Sequence, residues 1–115
     1  MKRWAFIHPA SGAIVMVTTS PASMPPAHLD RRPAPVGVDP GLHWWNGWSF
    51  APRTDAPIAV SLAGDRVSID APADAWLSLP DGSIAMDRDI AAPASRARIS
   101  LVGQYRGDAW IEVAA

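Results

Sequence analysis

The chain has 115 residues, with 10 basic and 11 acidic side chains well mixed along it, no cysteine and 12 prolines. That balance lacks the basic stripe of a nucleic-acid binder, excludes disulfides, thiol nucleophiles and thiolate metal sites, and leaves no room for long helices. Of the 56 apolar residues 21 are alanine, so 22 Ile, Leu and Val and six tryptophans must build whatever core forms.

Residues 3–8 read as a strand with Trp4, Phe6 and His8 on one face. Pro9-Ala10-Ser11-Gly12 supplies turn chemistry. Ala13 to Thr19 is β-branched and apolar on both faces, which predicts a strand covered on both sides. The chain therefore opens with a β-hairpin. His8-Pro9 and Ser11-Gly12 also break the apolar stretch after Lys2-Arg3, so no signal peptide is expected. No run approaches the ~18 apolar residues of a membrane span, which predicts a soluble chain.

Residues 20–40 contain Pro21, Pro25, Pro26, Pro33, Pro35 and Pro40 around Arg31-Arg32. Such a stretch is expected to hold neither ladder nor helix, and to run extended along a surface that faces a partner. Next comes Leu42-His43-Trp44-Trp45-Asn46-Gly47-Trp48-Ser49-Phe50. Asn-Gly is the preferred pair for a two-residue hairpin loop. With Asn46 and Gly47 as that loop, Trp45 lies opposite Trp48, and His43 and Phe50 share their face.

From Pro57 onward, six short segments alternate apolar and polar residues: Ile58–Leu62, Val67–Ile69, Ala75–Leu79, Ile84–Ile90, Ile99–Leu101 and Ala109–Val113. Gly64-Asp65 and Pro80-Asp81-Gly82 supply turns, and Gly103 to Asp108 reads as a connection. This spacing is the pattern of an antiparallel sandwich. The expected fold is all-β: an N-terminal hairpin region over 1–56, with a Pro-rich crossover at 21–40 and the Asn-Gly hairpin at 42–51, then a small immunoglobulin-like antiparallel β-sandwich over 57–115. Trp76 and Trp110 fall out of phase with the aliphatic residues of their strands and should face outward, as a contact surface for another protein.

Little in the chain announces a reaction. His8, His28 and His43 sit in separate segments without metal-ligand spacing. Asp87-Arg88-Asp89 lacks the glycine and terminal glutamate of a calcium loop. No nucleophile elbow, phosphate loop or dinucleotide fingerprint occurs. Glu112 is the only glutamate, so no carboxylate pair for glycoside hydrolysis can be nominated. No catalytic, cofactor-binding or metal residue is expected, and the chain reads as a non-enzyme. Trp44, Trp45 and Trp48 either fill a core short of aliphatics, bury at an interface, or stack on sugar rings.

The succession of a short hairpin (Trp4-Ala-Phe-Ile-His8, then Gly12-Ala-Ile-Val-Met-Val17), a Pro-rich crossover, His43-Trp-Trp-Asn-Gly-Trp-Ser-Phe50 before Ala51-Pro52-Arg53, and a closing sandwich resembles a class of small tail-associated proteins of tailed bacteriophages. The resemblance covers nearly the whole chain as an order of elements, with Pro52-Arg53 reversing the Arg-Pro pair of that class. It implies a virion component near the tail fibre or baseplate, present in multiple copies and bound to other tail or fibre proteins. The expected protein-contact residues are Trp44, Trp45, Trp48, Trp76 and Trp110, with Arg31 and Arg32 in the crossover. The alternative is a carbohydrate-binding module that uses Trp44, Trp45 and Trp48 on host glycans.

Overall fold

A computed structural model describes residues 3–19 and 29–113. Alternation of apolar and polar residues, punctuated by proline and glycine, yields strands throughout, and the fold is all-β with several antiparallel sheets. No helix of the described residues is long and apolar enough to cross a membrane.

The first sheet contains β1 (Arg3–Ile7), β2 (Ile14–Thr18) and β3 (Asp30–Ala34), in the order β2-β1-β3. Phe6 lies opposite Met16 while Ile7 lies opposite Ile14, so Val15 is an extra residue in β2. This bulge turns Val15 and Met16 outward, and both are exposed. β2 is therefore not covered on both sides as its composition predicted. The crossover also departs from expectation, because β3 pairs with β1 from Arg3↔Ala34 to Ile7↔Asp30. Pro33 is tolerated because β3 is an edge strand, where a missing N–H need not break a ladder. The remaining prolines before it, and His28, lie outside the described residues.

The tryptophan hairpin consists of β4 (His43–Trp45) and β5 (Phe50–Pro52). Its loop is longer than the Asn-Gly pair predicts. Trp45 pairs with Phe50 rather than Trp48, and Asn46 N–H donates to the Ser49 carbonyl. Only Gly47 of the two predicted loop residues has positive φ, at 98°. The cause is the Asn46 side chain: its Oδ1 accepts both Trp48 N–H and Ser49 N–H at 2.9 Å, which holds a four-residue turn. His43, Trp45 and Phe50 still share a face, and Trp48 leaves the ladder for the tip.

The second region starts earlier than residue 57. β6 (Thr54–Asp55) pairs parallel with β13 (Tyr105–Ile111), inside the sheet β10-β9-β12-β13-β6. β9 spans Trp76–Ser78, β10 Ile84–Ala85 and β12 Ala97–Val102. β7 (Ala59–Ala63), β8 (Arg66–Asp70) and β11 (Asp89–Ala91) form a separate sheet, ordered β11-β8-β7. The segment Ile84–Ile90 is thus two strands in two sheets rather than one. Arg88 makes the crossing possible, its guanidinium donating to the carbonyls of Met86, Pro72 and Ala75 at 2.7–2.9 Å. The predicted connection over 103–108 shrinks to a turn at Gly103-Gln104, and β13 begins at Tyr105.

Two apolar clusters result. Val67, Ile69, Leu77, Leu79, Ile99, Leu101 and Ile111 are buried in the second region, the inward halves of alternating strands. Ala5, Ile7, Ile14, Ala34 and Val38 form a smaller cluster in the first, with Trp45, Phe50 and Val17 packed against it. The radius of gyration is 15.4 Å. One compact core of this length would give about 13 Å, so two adjoining cores explain the elongation.

Candidate functional site

The turn at residues 9–12 and the side chain of Arg53 join the two regions and set where the hairpin stands. Gly103, at φ 74°, leaves only 2.5 Å between the position of a Cβ and the Ser11 carbonyl oxygen. The His8 ring meets Trp76 edge-on at 5.6 Å. Arg53 donates to Gly103, Leu101 and Tyr105 carbonyls on one side and to Pro40 and Gly41 carbonyls on the other, at 2.6–3.3 Å. Burial and the neighbouring Arg106 lower the pKa of Arg53. This anchor was not singled out in the sequence; a lone arginine after Pro52 carries no local signal of five distant carbonyls.

The hairpin and the chain after β3 line an open groove of about 550 Å³ with a mixed polar and apolar surface. Pro33, Pro35, Val36 and Val38 line one wall. His43, Trp45, Trp48, Ser49 and Phe50 line the other. The ring wall is ordered: Trp45 and Phe50 meet edge to face at 5.0 Å, and the Arg32 guanidinium, which lines a separate cleft, lies 4.8 Å from the Trp45 ring. Arg3 reaches the Pro35 and Val38 carbonyls at 3.2 and 2.8 Å and ties the first wall to β1. The rims are not ordered by packing. Trp48 is 91% exposed and Val36 93% exposed, on opposite walls of the same groove.

The expected contact residues therefore divide. Trp48 stands free at the tip, and Trp45 is half-buried in the ring wall. Trp44 is half-buried on the other side of the hairpin, where its ring and the Trp45 carbonyl crowd Gly12. Arg32 lies on the Trp45 ring and lines a neighbouring cleft with Asp30 and Trp44 rather than the groove, whereas Arg31 covers the Trp4 ring at 4.6 Å. Trp4 Nε1 is buried without an acceptor, and nothing in the structure explains it. Trp76 is half-buried at the joint with His8 and is used within the chain. Trp110 faces outward as its phase predicts, but Arg96 stacks on it at 3.9 Å and pairs with Glu112 at 2.7 Å. Val36 was missed, because a valine between Pro35 and Gly37 carries no periodicity.

The polar groups elsewhere serve local structure. Ser11 Oγ lies 2.8 Å from His8 Nδ1, yet Ser11 is buried and its oxygen also accepts Ala13 N–H, so this serine–histidine pair closes a turn. Asp55 is held below the ordinary carboxylate range by a 2.7 Å hydrogen bond from Arg106. The Tyr105 phenol is pushed up by its hydrogen bond to Asp74. Among the described residues no group of three His, Asp or Glu side chains is placed to hold a metal ion.

Compared with protein-family models, curated proteins and solved structures, the chain matches none.

Proposed function

We propose that this chain is a non-enzymatic structural part of a larger assembly, a phage-tail component near the baseplate or tail fibre that works through protein–protein contacts at the hairpin groove. The observation that carries the contact reading is the pair Trp48 and Val36, each more than nine-tenths exposed and both lining one groove. Leaving a whole indole in water forgoes several kcal/mol of burial, and a partner that covers it recovers that term. Tryptophan is the side chain most enriched at energetic centres of interfaces. The tail assignment rests on the order of elements described above.

The second region serves in this proposal as an immunoglobulin-like sandwich that carries the hairpin. Its support is the strand order, β11-β8-β7 in one sheet and β10-β9-β12-β13 in the other, with buried residues shared between them. A sugar platform is the competing reading, favoured by the exposed indole of Trp48 alone. Trp44 and Trp45 weigh against it, since Gly12 crowds one and Arg32 with Phe50 encloses the other.

The test is co-purification with the proteins encoded beside its gene, for the native chain and for Trp48→Ala. Loss of a tail-protein complex in the variant, with thermal stability unchanged within about 0.5 kcal/mol, supports the proposal. Retention of the complex in Trp48→Ala, or indole quenching by polysaccharide instead, overturns it.

A further inference from the structure

We infer that Asn46 is a site of slow, self-driven chemical modification. The turn at the hairpin tip promotes attack of the Gly47 backbone nitrogen on the Asn46 side-chain amide, which releases ammonia and, after hydrolysis, leaves aspartate or isoaspartate at that position. This chemistry is independent of what the groove meets.

The nucleophile is accessible and unengaged. Asn46 is the only asparagine of the chain, and glycine follows it. Both residues are exposed, so water and hydroxide reach them. The turn uses the Asn46 N–H on the Ser49 carbonyl, and the Trp48 and Ser49 N–H groups on Asn46 Oδ1. The Gly47 N–H takes no part in it and has no hydrogen bond among the described residues. Nothing lies within 4 Å of the position a Gly47 Cβ would take, and glycine carries no side chain to hinder the approach of its nitrogen. Attack on Cγ closes a ring of Gly47 N with Asn46 C, Cα, Cβ and Cγ.

The electrophile is prepared by the same turn. Oδ1 is the atom that takes up negative charge as the nitrogen adds to Cγ, and two backbone N–H groups already donate to it at 2.9 Å. Paired backbone donors at such distances stabilise the oxyanion of acyl transfer. Asp81-Gly82 supplies the contrast. Asp81 Oδ1 likewise accepts from the Ser83 hydroxyl and N–H, at 2.6 and 3.0 Å, but those bonds hold its carboxyl below the ordinary carboxylate range. A carboxylate repels a nitrogen anion where a neutral amide accepts it.

The step balances without an oxidant or a reductant. Hydroxide removes the Gly47 amide proton and the N–Cγ bond forms. The Cγ–Nδ2 bond breaks as ammonia leaves with a proton from water, and a second water opens the cyclic imide. Opening at Cγ leaves aspartate in the original backbone, with a carboxylate that still accepts both N–H groups. Opening at the main-chain carbonyl gives isoaspartate: the backbone runs through Cβ and Cγ, one methylene longer, and the former Oδ1 becomes a peptide oxygen. The contact that lifts Trp48 out of the ladder is then broken. Either product adds a negative charge next to the cleft that Asp30 and Arg32 line.

The experiment follows the mass of the intact chain over days in mildly alkaline buffer, native and in guanidinium chloride at one temperature, with peptide mapping to place the change. The native chain is expected to lose ammonia at Asn46 several-fold faster than the unfolded chain. Ser49→Pro removes one of the two donors to Oδ1 and should slow the native rate about tenfold while leaving the unfolded rate unchanged. Asn46→Gln, whose longer side chain closes a larger ring more slowly, should stay unconverted. Amide exchange at Trp48 and Ser49 should quicken in the isoaspartate fraction and not in the aspartate fraction. A native rate equal to or below the unfolded rate overturns the inference, as does an unchanged native rate in Ser49→Pro. Conversion that persists in Asn46→Gln overturns the assignment to this residue, and equal exchange in the two fractions overturns the effect on the Trp48 turn.

Discussion

The two regions solve the same problem with different materials. The second fills its interior with β-branched and leucine side chains from strands of period two, and its cluster includes Val67, Leu77, Ile99 and Leu101. The first has two alanines among the five residues of its cluster and is closed by Trp45 and Phe50 from a separate hairpin. Where aliphatic volume is scarce, aromatic rings and stacked guanidinium groups take over: Arg31 on Trp4 and Arg32 on Trp45. A core sealed by rings is also a core with rings at its edge, which is how the groove beside the small cluster comes to be lined by Trp45, Trp48 and Phe50, whereas the clefts beside the large cluster are lined mainly by proline and aliphatic side chains.

Substitutions that load one region and not the other sharpen this contrast. The largest effect is expected for Leu77→Ala, which empties the centre of the second cluster and should cost about 4 kcal/mol. The six indole N–H resonances report the regions separately. If the joint couples them, Trp45 and Trp110 signals vanish at one denaturant concentration; two separate transitions would break the picture of a single cooperative unit.

Arg53→Ala comes next, at about 3 kcal/mol, because it removes donors to five carbonyls, several of them sheltered. Arg53→Lys should recover only part of that loss in a urea titration, since one ammonium cannot fan across both regions. Full recovery by lysine would show that charge, not the fork, makes the joint.

Gly12→Ala is expected to cost about 2 kcal/mol. Its φ is 75°, and an added methyl would strike the Trp45 carbonyl and the Trp44 ring. The change should unseat the hairpin, read as a red shift of tryptophan emission and, because the joint couples the regions, a lower melting temperature for the whole chain. The smallest effect is that of acid on the β6–β13 pairing. Asp55 has its pKa lowered in the fold by Arg106, so its contribution is complete above the unfolded value near 4 and disappears as pH falls through the folded value. Melting curves from pH 6 to 2 should therefore converge for the native chain and Asp55→Asn at the acid end; a constant gap would assign the difference to something other than this carboxylate.

Much of this was legible beforehand for a physical reason. Strands with one wet face write their burial into a period of two, so Val67/Ile69 and Ile99/Leu101 could be placed inside from the residues alone. Tight turns do the same through glycine: Gly64, Gly82 and Gly103 all adopt positive φ at expected or neighbouring turns. The misreadings occur where a side chain overrides local preference. Asn46 widened the hairpin loop by accepting two backbone N–H groups, and Arg88 drew one apparent strand into two sheets. Pro33 entered a ladder because β3 had an edge to spare.

The same division holds for the candidate site. By itself the sequence determined that the protein would be built of short strands and that tryptophans are at hand where aliphatic volume is short, because both follow from local patterning and composition. Only the tertiary structure decided which indole is left over. Trp44, Trp45 and Trp76 found cover in residues distant along the chain, while Trp48, lifted out of register by the turn at Asn46, stays exposed at the tip beside an open groove. Burial of a side chain depends on what lies opposite it in space, and that partner is chosen by the packing of the whole molecule.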